Sequence, residues 1–306
     1  MEDKLQSTIE KIVQLSKQNA EFNLELRKRL YMSSANCVPI DDDRIDQIYE
    51  YCIEKVVRQQ AQEFYKDFPI TEIITGLVDD FCRMEAFRRR NNFGDFCLSL
   101  YQQVECVTNK LCANPDLNEI AKRMWGYPAY VKAGKGVTPS IDNRNESGYT
   151  IASLVFPGND KNSGLSNAIE KSKKSLQDLY AIDKMRTIVY FVGYKGMMEN
   201  SDYYGFKEFT SLLWDIYQCR NTNHRGNIPN NWDKEPLSQI RSQQAVYYFK
   251  FLGALTQFME QIIHGWNELP EIKRSVLRLP PKEVKLPGLN ILGKISLQDD
   301  GKKRIK

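Results

Sequence analysis

The stretch YQCRNTNHRGN, Tyr217 to Asn227, sets Arg220 four residues before His224 in a chain with only two histidines. If the segment is helical, residues four apart share a face, so the two side chains project together. Histidine exchanges a proton near neutral pH, and arginine holds a phosphate in a fixed, permanently charged fork. Metal-free RNA cleavage needs those two parts: a base for the 2′-hydroxyl proton and a cation for the charge that builds on phosphorus. Gly226, with Asn227 and Pro229 after it, is the stop signal of such a helix. The carbonyl end of a helix repels phosphate and favours the protonated imidazole, but two arginines, Arg220 and Arg225, outweigh a half-charge that fades within a turn. The bland reading stays open beside this one: residues of these types at a helix end are also commonly solvated or bound to the last carbonyls.

Other residues invite the same double reading. Arg88, Arg89 and Arg90, in FRRRNN, line an RNA path or form a solvated basic helix end. Glu105, on an otherwise apolar segment, orients an active-site arginine or pairs with a core neighbour. Tyr247 and Tyr248 stack on bases or fill the core. His264, in QIIHGW, has no arginine or carboxylate motif beside it and reads as the cap of a long helix near Gly265. The glycine-rich KAGKGVTPS lacks the spacing of a phosphate-binding P-loop.

Composition narrows the class. An apolar fraction of 42% and a charged fraction of 27% fit an ordinary soluble protein, and no apolar run is long enough to span a bilayer. MEDKLQSTIEK is too polar for a signal peptide, so the expected compartment is the cytoplasm. Seven cysteines, none in a CxxC pair, read as buried thiols, with no disulfide framework, structural metal or cofactor indicated. Residues 282–306 hold seven basic and three acidic residues, which accounts for the whole net charge of +4. The rest of the chain is balanced, so any RNA contact must be local.

The elements that must position these residues are mostly helices. Residues 1–30 carry apolar residues at helical spacing, SSANCVP breaks the pattern, and DDDRIDQIYEYC opens a second helix that ends at Pro69. Helices are expected over Ile70 to Asn91 and Phe93 to Cys112, over Phe206 to His224, and over Pro236 to Trp266 with Pro236 at its first position. Trp125 to Gly148 reads as a loop. YTIASLVF (Tyr149 to Phe156) and RTIVYFVGY (Arg186 to Tyr194) read as short strands. Beyond Leu279 come a proline-stiffened linker, a short strand in LNILGKISL, and the basic end KKRIK, read either as solvated or as a hook for RNA or a partner.

IYQCRNTNHRG resembles the signature of the HEPN superfamily, in which an arginine, often followed by asparagine, closes a helix just before a histidine and a small residue. Three residues separate Arg220 from His224, fewer than is usual in that family; each residue of difference turns a side chain by about 100° on a continuous helix. The resemblance implies a bundle of about four helices: an early antiparallel pair, a helix ending in the motif, and a closing helix that packs back. It covers Ile70 to Asn114 and Tyr203 to Trp266. It implies a metal-independent endoribonuclease acting as a homodimer, with toxin or antiviral roles by analogy. Arg220 would stabilise the scissile phosphate, His224 would exchange protons, and Asn221 would fix the geometry.

The expectation is therefore a mainly α, HEPN-like helical bundle. It has an N-terminal helical region (1–69), a bundle domain (70–279) with a small α/β insertion at about 115–202, and a basic tail (280–306). RNA, a second copy of the chain and a regulatory protein are the expected partners, with no membrane. The competing class is a non-catalytic helical module for dimerisation or for binding a partner or RNA. The nuclease requires a positive cleft built from Arg220, Arg225 and Arg88 to Arg90, whereas the module requires an exposed apolar patch near the same helices.

Overall fold

The computed structural model describes residues 2–29, 42–127, 150–158, 161–196, 200–224, 231–282 and 284. The SSANCVP break, most of the glycine-rich loop, Arg225 and the tail with its expected strand lie outside them. Among the described residues the protein is all-α, and no helix is long and apolar enough to cross a membrane. The chain divides into two compact units, Met1–Glu63 and Phe64–Lys306.

The first unit contains α1 (Glu2–Gln18), α2 (Ala20–Arg29) and most of α3 (Asp42–Phe64). The single expected N-terminal helix is broken at Asn19, whose side chain accepts from the Phe22 amide at 3.1 Å. Asparagine competes with the helix in this way because its short amide caps the next one.

In the second unit, α4 (Ile74–Arg89) and α5 (Phe93–Cys112) form an antiparallel pair. Asn91 makes the tight turn between them in the left-handed region, φ 52°, which asparagine tolerates. Asn92 then caps α5 by accepting from the Asp95 amide. Leu100, Tyr101, Val104, Val107 and Leu111 on α5 are fully buried. Gln103, also buried, donates to the Ser99 carbonyl and accepts from the Tyr65 hydroxyl. Such pairing is required because an unsatisfied buried amide costs about 1–3 kcal/mol.

The remaining helices are α6 (Pro115–Met124), α7 (Ile151–Val155), α8 (Lys161–Ser172), α9 (Ala181–Ile188), α10 (Asn200–His224), α11 (Asn231–Ser242) and α12 (Gln244–Leu277). Helices α10, α12 and α9 pack on α5, while α6 packs on α12. The two expected strands are helical instead: α7 occupies the first, and the end of α9 with a π-helical turn, Val189–Gly193, occupies the second. Ile151, Ala152, Val155, Phe156 and Ile188 to Val192 are all buried. A short apolar run buried on every side has no period to distinguish strand from helix. Thr150 and Ser153 form a capping box that starts α7.

The expected helix from Pro236 to Trp266 is two helices. Pro236 lies inside α11, the break falls at Gln243, and α12 runs on through Gly265 and Pro270. His264 is therefore an exposed mid-helix residue rather than a cap. Tyr247 and Tyr248 are buried, Tyr248 edge-on to Phe93 and Phe96, so they serve the core. Cys97, Cys112 and Cys219 are buried free thiols, and Cys52, Cys82 and Cys106 are half-buried.

Gly265 permits the close approach of α12 to the π-helical turn, where a Cβ would collide with the Val192 carbonyl. Alanine is favoured over glycine in a helix by up to about 1 kcal/mol, yet overpacking costs about 1–3 kcal/mol. Gly265→Ala is therefore expected to destabilise the protein. Gly253→Ala, on the same helix with nothing within 4 Å of the added carbon, is expected to stabilise it by about 0.5–1 kcal/mol. Urea unfolding of both variants checks the opposite signs.

Candidate active site at the end of α10

Helix α10 remains helical through His224, so Arg220 and His224 lie about 40° apart around one continuous helix. The side chain of His224 is not among those described. Arg220 is turned onto α5, where its Nη2 meets Glu105 Oε2 at 3.1 Å. Its guanidinium sits 5.4 Å from the centre of the Tyr101 ring and 5.9 Å from that of Tyr217. The Arg220 side chain is 12% exposed, Glu105 28%. One carboxylate and two aromatic faces thus hold the fork, and cation–π contacts add to the ion pair as desolvation grows.

Tyr101 is fully buried, and its hydroxyl finds no hydrogen-bond partner among the described residues. Burial first, and Glu105 and Tyr217 after it, push its ionisation far up, against the opposing pull of Arg220 and Arg186. Arg186 is a second, half-buried cation nearby, with its guanidinium 5.4 Å from the Trp214 ring centre. Desolvation draws its pKa down, while Asp183 and Tyr101 oppose the shift. Reading RTIVYFVGY as a strand concealed Arg186. Its only signal is a lone arginine beside an apolar run, which usually goes unexplained by spacing.

Asn221 is buried at 6% exposure, and its Oδ1 has no partner among the described residues. Arg88 is bound by Glu85, with Nη2 to Oε2 at 2.7 Å, and Arg89 is half-buried. Arg90 is exposed and lines a cleft with Cys219 and Thr222. Thr222 is about 160° around α10 from Arg220. The structure therefore brings Arg220 together with Glu105, and places Arg90 on another side of the same helix. Arg225 lies outside the described residues. Glu105 pairs with the candidate arginine itself, so both sequence readings of that carboxylate converge.

Helix α11 is tied to α10 by Asp233, which accepts from Trp214 Nε1 and Gln218 Nε2, each at 3.0 Å. Nearby Asp215 is raised from an ordinary 3.8 to about 6 by burial, with Lys250 opposing and Asp233 adding to the rise. A folded-state pKa above the unfolded one means that the native state binds the proton more tightly. This contribution to stability is complete below about pH 3.8 and is lost as pH rises through about 6. Asp215→Asn is thus expected to melt higher than the parent at pH 7.5, with the advantage gone by pH 4, as thermal unfolding across that range will show.

No family model, curated protein or solved structure matches the chain, so the geometry of this site and the resemblance of its motif carry the functional argument.

Proposed function

We propose that the chain is a HEPN-type endoribonuclease that cleaves RNA as a homodimer without a metal, with Arg220 and His224 as its catalytic pair. The observation that carries this reading is the anchored guanidinium of Arg220, one turn before His224 on a helix that does not unwind. The α4–α5 hairpin, α10 with the motif in its last turn, and α12 packed against α5 support this reading. A guanidinium carries five donors, and the contact of Nη2 with Glu105 leaves others for a phosphate oxygen.

In this reading His224 takes the 2′-hydroxyl proton, and the 2′-oxygen attacks phosphorus. The 5′-oxygen then leaves with a proton supplied by His224 of the partner subunit, giving a cyclic phosphate and a free 5′-hydroxyl. Arg220 stabilises the charge that grows on the phosphate oxygens, and Glu105 keeps the fork pointed rather than letting it wander. Buried Asn221 acts by position. Toxin or antiviral activity would follow from cutting host RNA.

A second reading, a non-catalytic module for dimerisation or partner binding, is favoured by one specific observation. Val246 and Phe249, on one face of α12, are 60% and 70% exposed, as an interaction surface would be.

Cleavage of mixed cellular RNA in EDTA decides between them. The wild type is expected to cut. His224→Ala should lose about 10²–10⁴-fold in rate, and Glu105→Gln about 10- to 100-fold through misplacement of Arg220. Arg220→Ala, matched to the wild type in thermal stability, should also be inactive. If the wild type leaves every RNA intact, the nuclease reading fails; a change in sedimentation on Phe249→Ser would then point to the module.

A further inference from the structure

The motif helix carries a second polar feature that the Arg220 site does not use. Where the α4–α5 turn, the last turn of α10 and the α11–α12 junction meet, they enclose a cleft of about 430 Å³. Arg90 comes from the turn, Thr222 from α10, Arg241 from the end of α11 and Gln244 from the start of α12. Both arginines are exposed, and neither makes an ion pair among the described residues. Two other arginines of this unit do have carboxylates: Arg88 has Glu85, and Arg220 has Glu105. Two arginines lining one concavity give it a local positive potential that attracts an anion.

The helix ends at the cleft do not supply this field. The starts of α5 and α12 contribute positive partial charge, while the ends of α4, α10 and α11 contribute negative, leaving a net of about minus one half. Asp95 close behind adds one negative charge, its carboxylate accepting from the Asn92 amide at 2.6 Å. Against that and the helix ends, the +2 of the two arginines leaves the cleft weakly positive, by about one half. Helix α12 also begins without a side-chain cap on its first turn, which leaves backbone donors beside Gln244 for an oxygen ligand.

The cleft suits a phosphate and not a base. Its one aromatic, Phe93, is 5% exposed and committed to Tyr248 and Phe251, so no ring face is open for stacking. We infer that this cleft holds a backbone phosphate of single-stranded RNA through Arg90 and Arg241, as a docking subsite on the side of α10 away from Arg220. The identity of the ligand as RNA rests on the nuclease reading; the preference for phosphate rests on the cleft alone. Contact with the backbone makes the recognition independent of sequence.

A 12-nucleotide fluorescent single-stranded RNA with 2′-O-methyl sugars, which cannot be cut through the 2′-hydroxyl, tests this by anisotropy across a salt series. The double variant Arg90→Gln/Arg241→Gln is expected to bind about tenfold more weakly and to lower the slope of log affinity against log salt by about 0.7, the value for one phosphate no longer neutralised. Arg90→Lys/Arg241→Lys should keep the slope, and Lys207→Gln, an exposed lysine of α10, should change neither. Unchanged RNA affinity and slope in the double glutamine variant overturn the inference, even if the arginines prove to hold inorganic tripolyphosphate tested alongside. Cleavage of unmodified RNA by the same proteins separates the two claims. Arginine-dependent binding without cleavage leaves the subsite standing and removes the nuclease, whereas cleavage with indifferent binding removes only the subsite.

Discussion

The Glu105 carboxylate, set on the most heavily buried helix of the second unit, fixes where the motif helix can lie. Glu105 is half-buried on α5, and Arg220 arrives from 115 residues away to pair with it. Removing either partner leaves a charge in a partly dehydrated place, which costs more than the pair itself contributes. The ion pair therefore acts as a register pin. It sets the rotation of α10 about its own axis, and with that rotation set, Thr222 and Cys219 must face the cleft of Arg90 while Tyr217 meets Tyr101. Two different chemical surfaces on one helix follow from a single contact.

The aromatic surroundings reinforce that pin. Tyr101 and Tyr217 present ring faces to Arg220, and Trp214 presents one to Arg186, so two guanidinium groups are stabilised by π-systems where water is scarce. Aromatic rings serve this purpose better than further carboxylates would, because they add attraction without adding another charge to desolvate.

The parts that were legible in the sequence share a physical cause. Helices α5 and α10 announce themselves by apolar spacing and by local signals, such as Asn92 before Phe93, that act within one turn of chain. The motif end at His224 was visible for the same reason. What failed to show was set by tertiary packing. The run from Arg186 to Tyr194 is buried on all sides, so its β-branched residues carry no periodic trace of the α9 and π-helical backbone they adopt. Pro236 reads as the first position of a helix, yet it sits inside α11. Arg241 belongs to no motif, and its place beside Arg90 in the cleft is set by packing between α11 and the α4–α5 turn. Sequence spacing located Arg220 and Arg88 to Arg90 but neither Arg186 nor Arg241; which way each faces depends on contacts between distant helices.

Helix α12 has a mechanical consequence. Its 34 residues make a rod of about 51 Å. The rod begins at the arginine-lined cleft, crosses the π-helical turn beneath Gly265, and ends where Lys273 grips Asp116 of α6 at 2.6 Å. A continuous helix anchored at both ends opens as one cooperative unit. Amide exchange in its middle turns should therefore track global unfolding, while α11, joined to it by one residue, is held separately through Asp233 and buried Leu237 and Ile240.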